Sequence, residues 1–109
     1  MTQLSLPGPV AGYFTADAEG GAAVAGCFAA DGVVIDENRT YQGHAAIARW
    51  KTLASERYRY ASAPVAVEVQ GDRLVVTARV TGDFPGSPAD LRYAFTLSGN
   101  AIARLEIAP

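Results

Sequence analysis

Apolar and polar positions follow two rhythms along the chain. Up to about residue 57 the apolar residues recur at helical spacing, and beyond it they alternate. Pro7 to Asp17 opens on Pro-Gly-Pro, a natural helix entry, and carries Val10, Tyr13 and Phe14 at helical spacing. Glu19-Gly20-Gly21 breaks that helix. A second short helix is predicted over Ala22–Ala30, with Val24, Cys27 and Phe28 on one face. Asp31-Gly32 ends it. Val33-Val34-Ile35 is too short for a helix and β-branched throughout, so it predicts a short strand. Asp36 to Gly43 is polar and reads as a loop. A third helix, from Gly43 to about Arg57, aligns Ile47, Trp50 and Ala54, with Leu53 beside them and Lys51 at the edge of the apolar face.

The second half alternates with period two. Tyr58 to Gln70 sets Val65, Val67 and Val69 on one face. After the turn at Gly71-Asp72, Leu74, Val76, Ala78 and Val80 oppose Val75, Thr77 and Arg79, which completes a hairpin. A loop with two prolines, Gly82 to Asp90, leads to Leu91, Tyr93, Phe95 and Leu97 alternating with Arg92, Ala94 and Thr96. Ser98-Gly99-Asn100 turns the chain again, and Ile102 to Ile107 closes it. Helices segregated from an antiparallel sheet of two hairpins define an α+β class. Arg92 and Glu106 have the parity opposite to the inward rows of Tyr93 and Phe95 and of Leu105 and Ile107. They are therefore expected to face outward and pair across strands.

Composition narrows the function classes. The 109 residues fit one domain, and 50% apolar with 18% charged residues is a globular balance. No apolar run approaches the ~20 residues of a membrane span. Met1 to Val10 has neither a basic stretch nor a long apolar one, so no leader is expected and the expected setting is the cytoplasm. A net charge of −2 without a basic face disfavours nucleic acid and anionic membranes as partners. The lone Cys27 forms no internal disulfide and most simply packs as a small hydrophobe. The lone His44 cannot build a histidine-rich metal site and is expected at the surface or in a cap. Glycine-rich phosphate loops, nucleophile elbows and paired-cysteine motifs are missing from the sequence.

Three motifs carry a family resemblance. Cys27-Phe28-Ala29-Ala30-Asp31-Gly32-Val33-Val34 follows Tyr13-Phe14 and a small-residue break. Gly43-His44-Ala45-Ala46-Ile47-Ala48-Arg49-Trp50 enters the third helix. Tyr93-Ala94-Phe95-Thr96-Leu97 with Gly99 to Ile107 forms the last hairpin. In order and spacing these resemble the SnoaL-like and ketosteroid-isomerase-like branch of the nuclear transport factor 2-like superfamily, over residues 1–109 as one domain. The resemblance implies a cone-shaped, cystatin-like fold. Three N-terminal helices pack on a curved antiparallel sheet around an apolar cavity, with a homodimer made through the outer sheet face. It implies a small hydrophobic molecule as ligand and, for an enzyme, a reaction without a cofactor. The fold hosts many unrelated activities, so the resemblance does not choose a reaction.

The candidate chemistry follows from that frame. Asp36 stands at the end of the short strand, where ketosteroid isomerases place the aspartate that moves a proton. A carboxylate half-buried among rings loses hydration, its pKa rises, and it becomes a base usable near neutral pH. The plainer reading has Asp36 capping a turn or pairing with Arg39. Tyr13 matches the family tyrosine that donates to a developing enolate oxygen, and its plainer reading is an aromatic wall. Where those isomerases carry a protonated aspartate, this chain has Tyr93. Phe28, Trp50, Phe95 and Phe84 are the further candidates for substrate contact, with Phe84 in the proline loop closing the mouth or docking on a partner subunit. Three functions stay open: proton-transfer catalysis as an isomerase, cyclase or dehydratase, ligand binding without turnover, and a dimeric interaction module. Catalysis calls for a cavity of roughly 300 Å³ or more with Asp36 opening into it.

Overall fold

A computed structural model describes residues 5–109. Of the segment expected to lack a leader, positions 1–4 lie outside the described residues. Helix α1 spans Gly8–Asp17, with a proline in its first turn where a missing N–H costs nothing. Helix α2 spans only Gly21–Ala25. It is shorter than the predicted Ala22–Ala30 because Phe28 already belongs to strand β1, Phe28–Asp36, opposite Ile102 of the last strand. Tertiary pairing overrides the helical preference of the alanines there. A Cβ on Gly21 would strike the carbonyl of Ala48 and the hydroxyl of Thr52, so this glycine is what lets α2 lie directly on α3.

Strand β2, Arg39–Gln42, replaces the predicted loop. It pairs antiparallel with β1, joining Asp36 to Arg39 through Glu37 and Asn38. Both turn residues have positive φ, 52° and 64°, as a tight hairpin with the right twist requires. Without the usual Asn-Gly signature the turn is inconspicuous in sequence. A glutamate held in the left-handed region is a strained choice beside a candidate site.

Helix α3 spans His44–Arg57. Four strands follow: β3 Tyr60–Gln70, β4 Arg73–Gly82, β5 Ala89–Ser98 and β6 Ala101–Ala108. Their alternation and turns match the sequence reading. The sheet runs β2-β1-β6-β5-β4-β3. It is not wholly antiparallel, because β1 and β6 pair in parallel. The predicted single row of Val65, Val67 and Val69 is broken by a register shift between Pro64 and Ala66, which leaves Val65 exposed. The predicted Arg92–Glu106 pair does not form; Glu106 instead faces Arg73 and Arg104.

The order of strands explains the cavity. α3 leaves β2 at one edge of the sheet and enters β3 at the other. Its 14 residues span about 21 Å, against roughly 24 Å for six hydrogen-bonded strands. The helix therefore bridges the inward face from edge to edge. Val34, Val76, Ala78, Phe95, Ile102 and Leu105 cover that face, and α1 and α3 bury Val10, Tyr13, Ile47 and Trp50 against them.

Candidate functional site

Asp36 ends β1 two residues after the fully buried Val34, so its side chain falls on the inward face. There its Oδ2 accepts a 3.1 Å hydrogen bond from Trp50 Nε1 of α3. Burial pushes the Asp36 carboxyl above the usual carboxylate range. The Trp50 bond works against that rise, and the neighbouring Glu37 charge adds to it. Arg39 is its register partner at the hairpin end, yet no ion pair joins the two among the described residues.

The carboxyl opens on a cavity of about 180 Å³ lined by Tyr13, Trp50, Tyr60, Tyr93 and Phe84, with Asp17 in its wall. This cavity is smaller than the expected threshold. An adjoining cleft of about 380 Å³ shares Asp36, Glu37, Trp50 and Ala54 with it and continues past Arg39, Tyr41 and Arg57. The space suits a small molecule, or one ring of a larger molecule whose remainder lies in the cleft.

Tyr13 and Tyr93 are 2% and 5% exposed, with ring centroids 6.1 Å apart. Burial pushes both phenols above their usual pKa, so both stay protonated and keep a proton to donate. Phe84 packs edge-on against Tyr58 and closes one side of the cavity. Phe28 and Phe95 are placed differently from the expectation. Both are buried behind Tyr13, in the core rather than in the cavity wall, because each lies deeper along its strand than the residues that reach the opening. His44, at the first turn of α3, binds the Phe28 carbonyl through Nε2 at 2.8 Å. A carbonyl only accepts, so Nε2 carries the proton. Cys27 lies in the α2–β1 connection, its thiol pushed up by burial.

Three polar residues of the site escaped the sequence reading. Lys51 is 2% exposed, and its Nζ lies 2.6 Å from Asp17 Oδ1 and 2.6 Å from the Tyr60 hydroxyl. Asp17 and Tyr60 both line the cavity. The available signal was a lysine beside the apolar stripe of α3 and an aspartate one helical turn after Tyr13. Among the described residues, no group of three or more His, Cys, Asp or Glu is placed to hold a metal ion, and no helix is long and apolar enough to cross a membrane.

Comparison with known proteins places the chain among relatives. The family model of the SnoaL-like domain matches residues 10–105. No curated protein matches the sequence. A candidate polyketide cyclase from Sinorhizobium meliloti is 44% identical, with a TM-score of 0.88 over 94% of this chain and 95% of that one. A Catenulispora acidiphila protein of ketosteroid isomerase-like fold, solved with trimethylamine, is 20% identical, with a TM-score of 0.84 over 96% and 87%. An NTF2-like protein of unknown function from Cytophaga hutchinsonii is 13% identical, with a TM-score of 0.71 over 98% and 91%. The last two likenesses establish the NTF2-like α+β fold.

Proposed function

The chain belongs to the SnoaL-like domain family, and from that premise we propose that it is a cofactor-independent proton-transfer enzyme acting on a small apolar carbonyl compound. The observation that carries this reading is the half-buried Asp36 carboxyl, raised by burial and opening on a cavity walled by neutral phenols and rings. Asp36, as the carboxylate, takes a proton from the carbon next to the carbonyl. The electron pair of that C–H bond moves into the carbonyl, leaving an enolate oxygen. Tyr13 and Tyr93 donate hydrogen bonds to the negative charge as it develops. Return of the proton to a second carbon gives isomerisation. Attack of the enolate carbon on an electrophile gives cyclisation, and loss of a β-hydroxyl gives dehydration. The 44% identical candidate polyketide cyclase supports this class of chemistry.

The test is deuterium incorporation next to the carbonyl of a panel of small ketones in heavy water, followed by NMR. Exchange above the buffer rate, abolished by Asp36→Asn, supports the reading. Exchange at the buffer rate for the whole panel removes it. A homodimer through the outer sheet face is part of the same proposal, and a monomeric mass in sedimentation equilibrium removes that part.

One observation favours a second reading. Asp17, Asp36 and Glu37 share the cavity with four tyrosine and tryptophan rings, and Lys51, the cation on Asp17, is already paired. Rings and carboxylates together hold small ammonium ions, and the Catenulispora relative was solved with trimethylamine. Trimethylammonium binding without ketone exchange would favour this non-catalytic role.

A further inference from the structure

A buried ammonium is the feature the proton-transfer scheme leaves unused. Taking an ammonium and a carboxylate out of water costs several kcal/mol per ion, and apolar residues of similar volume at positions 17 and 51 together would serve stability as well or better. Lys51 nevertheless sits on α3 directly after Trp50, 2% exposed. These two successive residues each hold a polar group that lines the cavity. Trp50 Nε1 donates to Asp36, and Lys51 Nζ donates to Tyr60.

Donor accounting fixes what Tyr60 can do. An ammonium has three protons and no lone pair, so in the 2.6 Å contact the Tyr60 oxygen is the acceptor. The phenol's own proton is left free for another partner, and Tyr60 lines the cavity. The Lys51 ammonium is held in turn by Asp17 at 2.6 Å. The backbone of Tyr60 is equally constrained. It pairs with Gly82 of β4, and a Cβ added at Gly82 would come within 2.8 Å of Tyr60 Cα and Cβ. Tyr13 and Tyr93 lie close enough to feel the charges of Asp17 and Asp36, but Lys51 bonds to neither of them. Of the three cavity phenols, Tyr60 alone has a cation on its oxygen, so it is the donor best able to meet negative charge.

We infer that Tyr60 is a further catalytic residue of this cavity, a hydrogen-bond donor to the substrate carbonyl oxygen beside Tyr13 and Tyr93, and that Lys51 and Asp17 are the residues that position it. The inference rests on the proton-transfer reading. It adds a direction to the substrate: carbonyl oxygen toward Tyr60, acidic carbon toward Asp36.

The probe is 4-nitrophenol, whose oxygen mimics the enolate oxygen and whose visible band reports the phenolate form. Wild type is expected to bind it and strengthen that band relative to free probe at the same pH. Tyr60→Phe should bind at least about tenfold more weakly, the share of one charge-assisted hydrogen bond, and lose the band enhancement. Lys51→Met combined with Asp17→Asn removes the cation without leaving a buried carboxylate unpaired. It should keep its fold by circular dichroism, still bind probe, and lose the band enhancement, which a merely structural role would leave in place. As a measurement that needs no variant to fold, the Cζ carbon resonance of Tyr60 in wild type should shift on probe addition more than that of Tyr41. No binding by wild type, wild-type affinity in Tyr60→Phe, an unchanged band in the double variant or an unmoved Tyr60 resonance each overturns the inference. Failure of the Asp36 reading looks different: ketone exchange is absent while phenolate binding through Tyr60 remains.

Discussion

Replacing Lys51 with methionine probes the buried ion pair directly. Methionine keeps the length of the side chain and removes its charge. Asp17 then stays 8% exposed with no cation, where Lys51 Nζ now stands 2.6 Å from its Oδ1. Breaking a buried pair by deleting one partner costs about 3–5 kcal/mol. That is a large share of the roughly 5–15 kcal/mol that hold a domain of this size. A loss of about 3 kcal/mol lowers Tm by roughly 12 °C or more at this chain length. Adding Asp17→Asn should recover most of the loss, because the two sites share one interaction. Thermal melts followed by circular dichroism compare wild type with both variants. A Lys51→Met protein that melts with wild type, or a double variant no more stable than the single one, refutes the claim that this pair is buried and coupled.

Three further predictions concern Asp36. Ketone exchange should rise with pH through a midpoint above the ordinary carboxyl range, because the base works only when deprotonated and burial raises its pKa. Trp50→Phe removes the hydrogen bond that favours the carboxylate, so in pH–rate measurements its midpoint should move higher still. A carboxyl raised on folding contributes stability in its protonated form. That contribution is full below the ordinary carboxyl pKa and is lost as pH rises through the folded value. Asp36→Asn should accordingly melt above wild type at pH 7 in scanning calorimetry, with the gap closing in acid, which is the usual exchange of stability for function at such sites.

How much of this was legible depended on how local each feature is. The alternation of Leu74 to Val80 and of Leu91 to Leu97 marked β4 and β5, because one inward row in a half-buried strand leaves a period-two trace. The same parity placed Tyr93 inward, and the helical spacing of Ile47 and Trp50 placed the inner face of α3. The β1–β2 hairpin escaped because Glu37-Asn38 carries no turn signature although both residues adopt positive φ. The start of β1 at Phe28 depends on Ile102, more than seventy positions away, so an alanine-rich stretch read as helix. Phe95 shares its parity with Tyr93 but lies deeper in the sheet, and parity carries no depth. Asp17, Lys51 and Tyr60 come from α1, α3 and β3 and meet only when the helices close over the sheet.

Titration of the Asp36 side-chain carboxyl by carbon-13 NMR tests the central claim most directly. A base prepared by loss of hydration titrates above the ordinary carboxyl range in wild type, and its midpoint climbs when Trp50 becomes phenylalanine. A midpoint at or below that range would mean that burial does not destabilise the carboxylate, and the proton-transfer account would be contradicted.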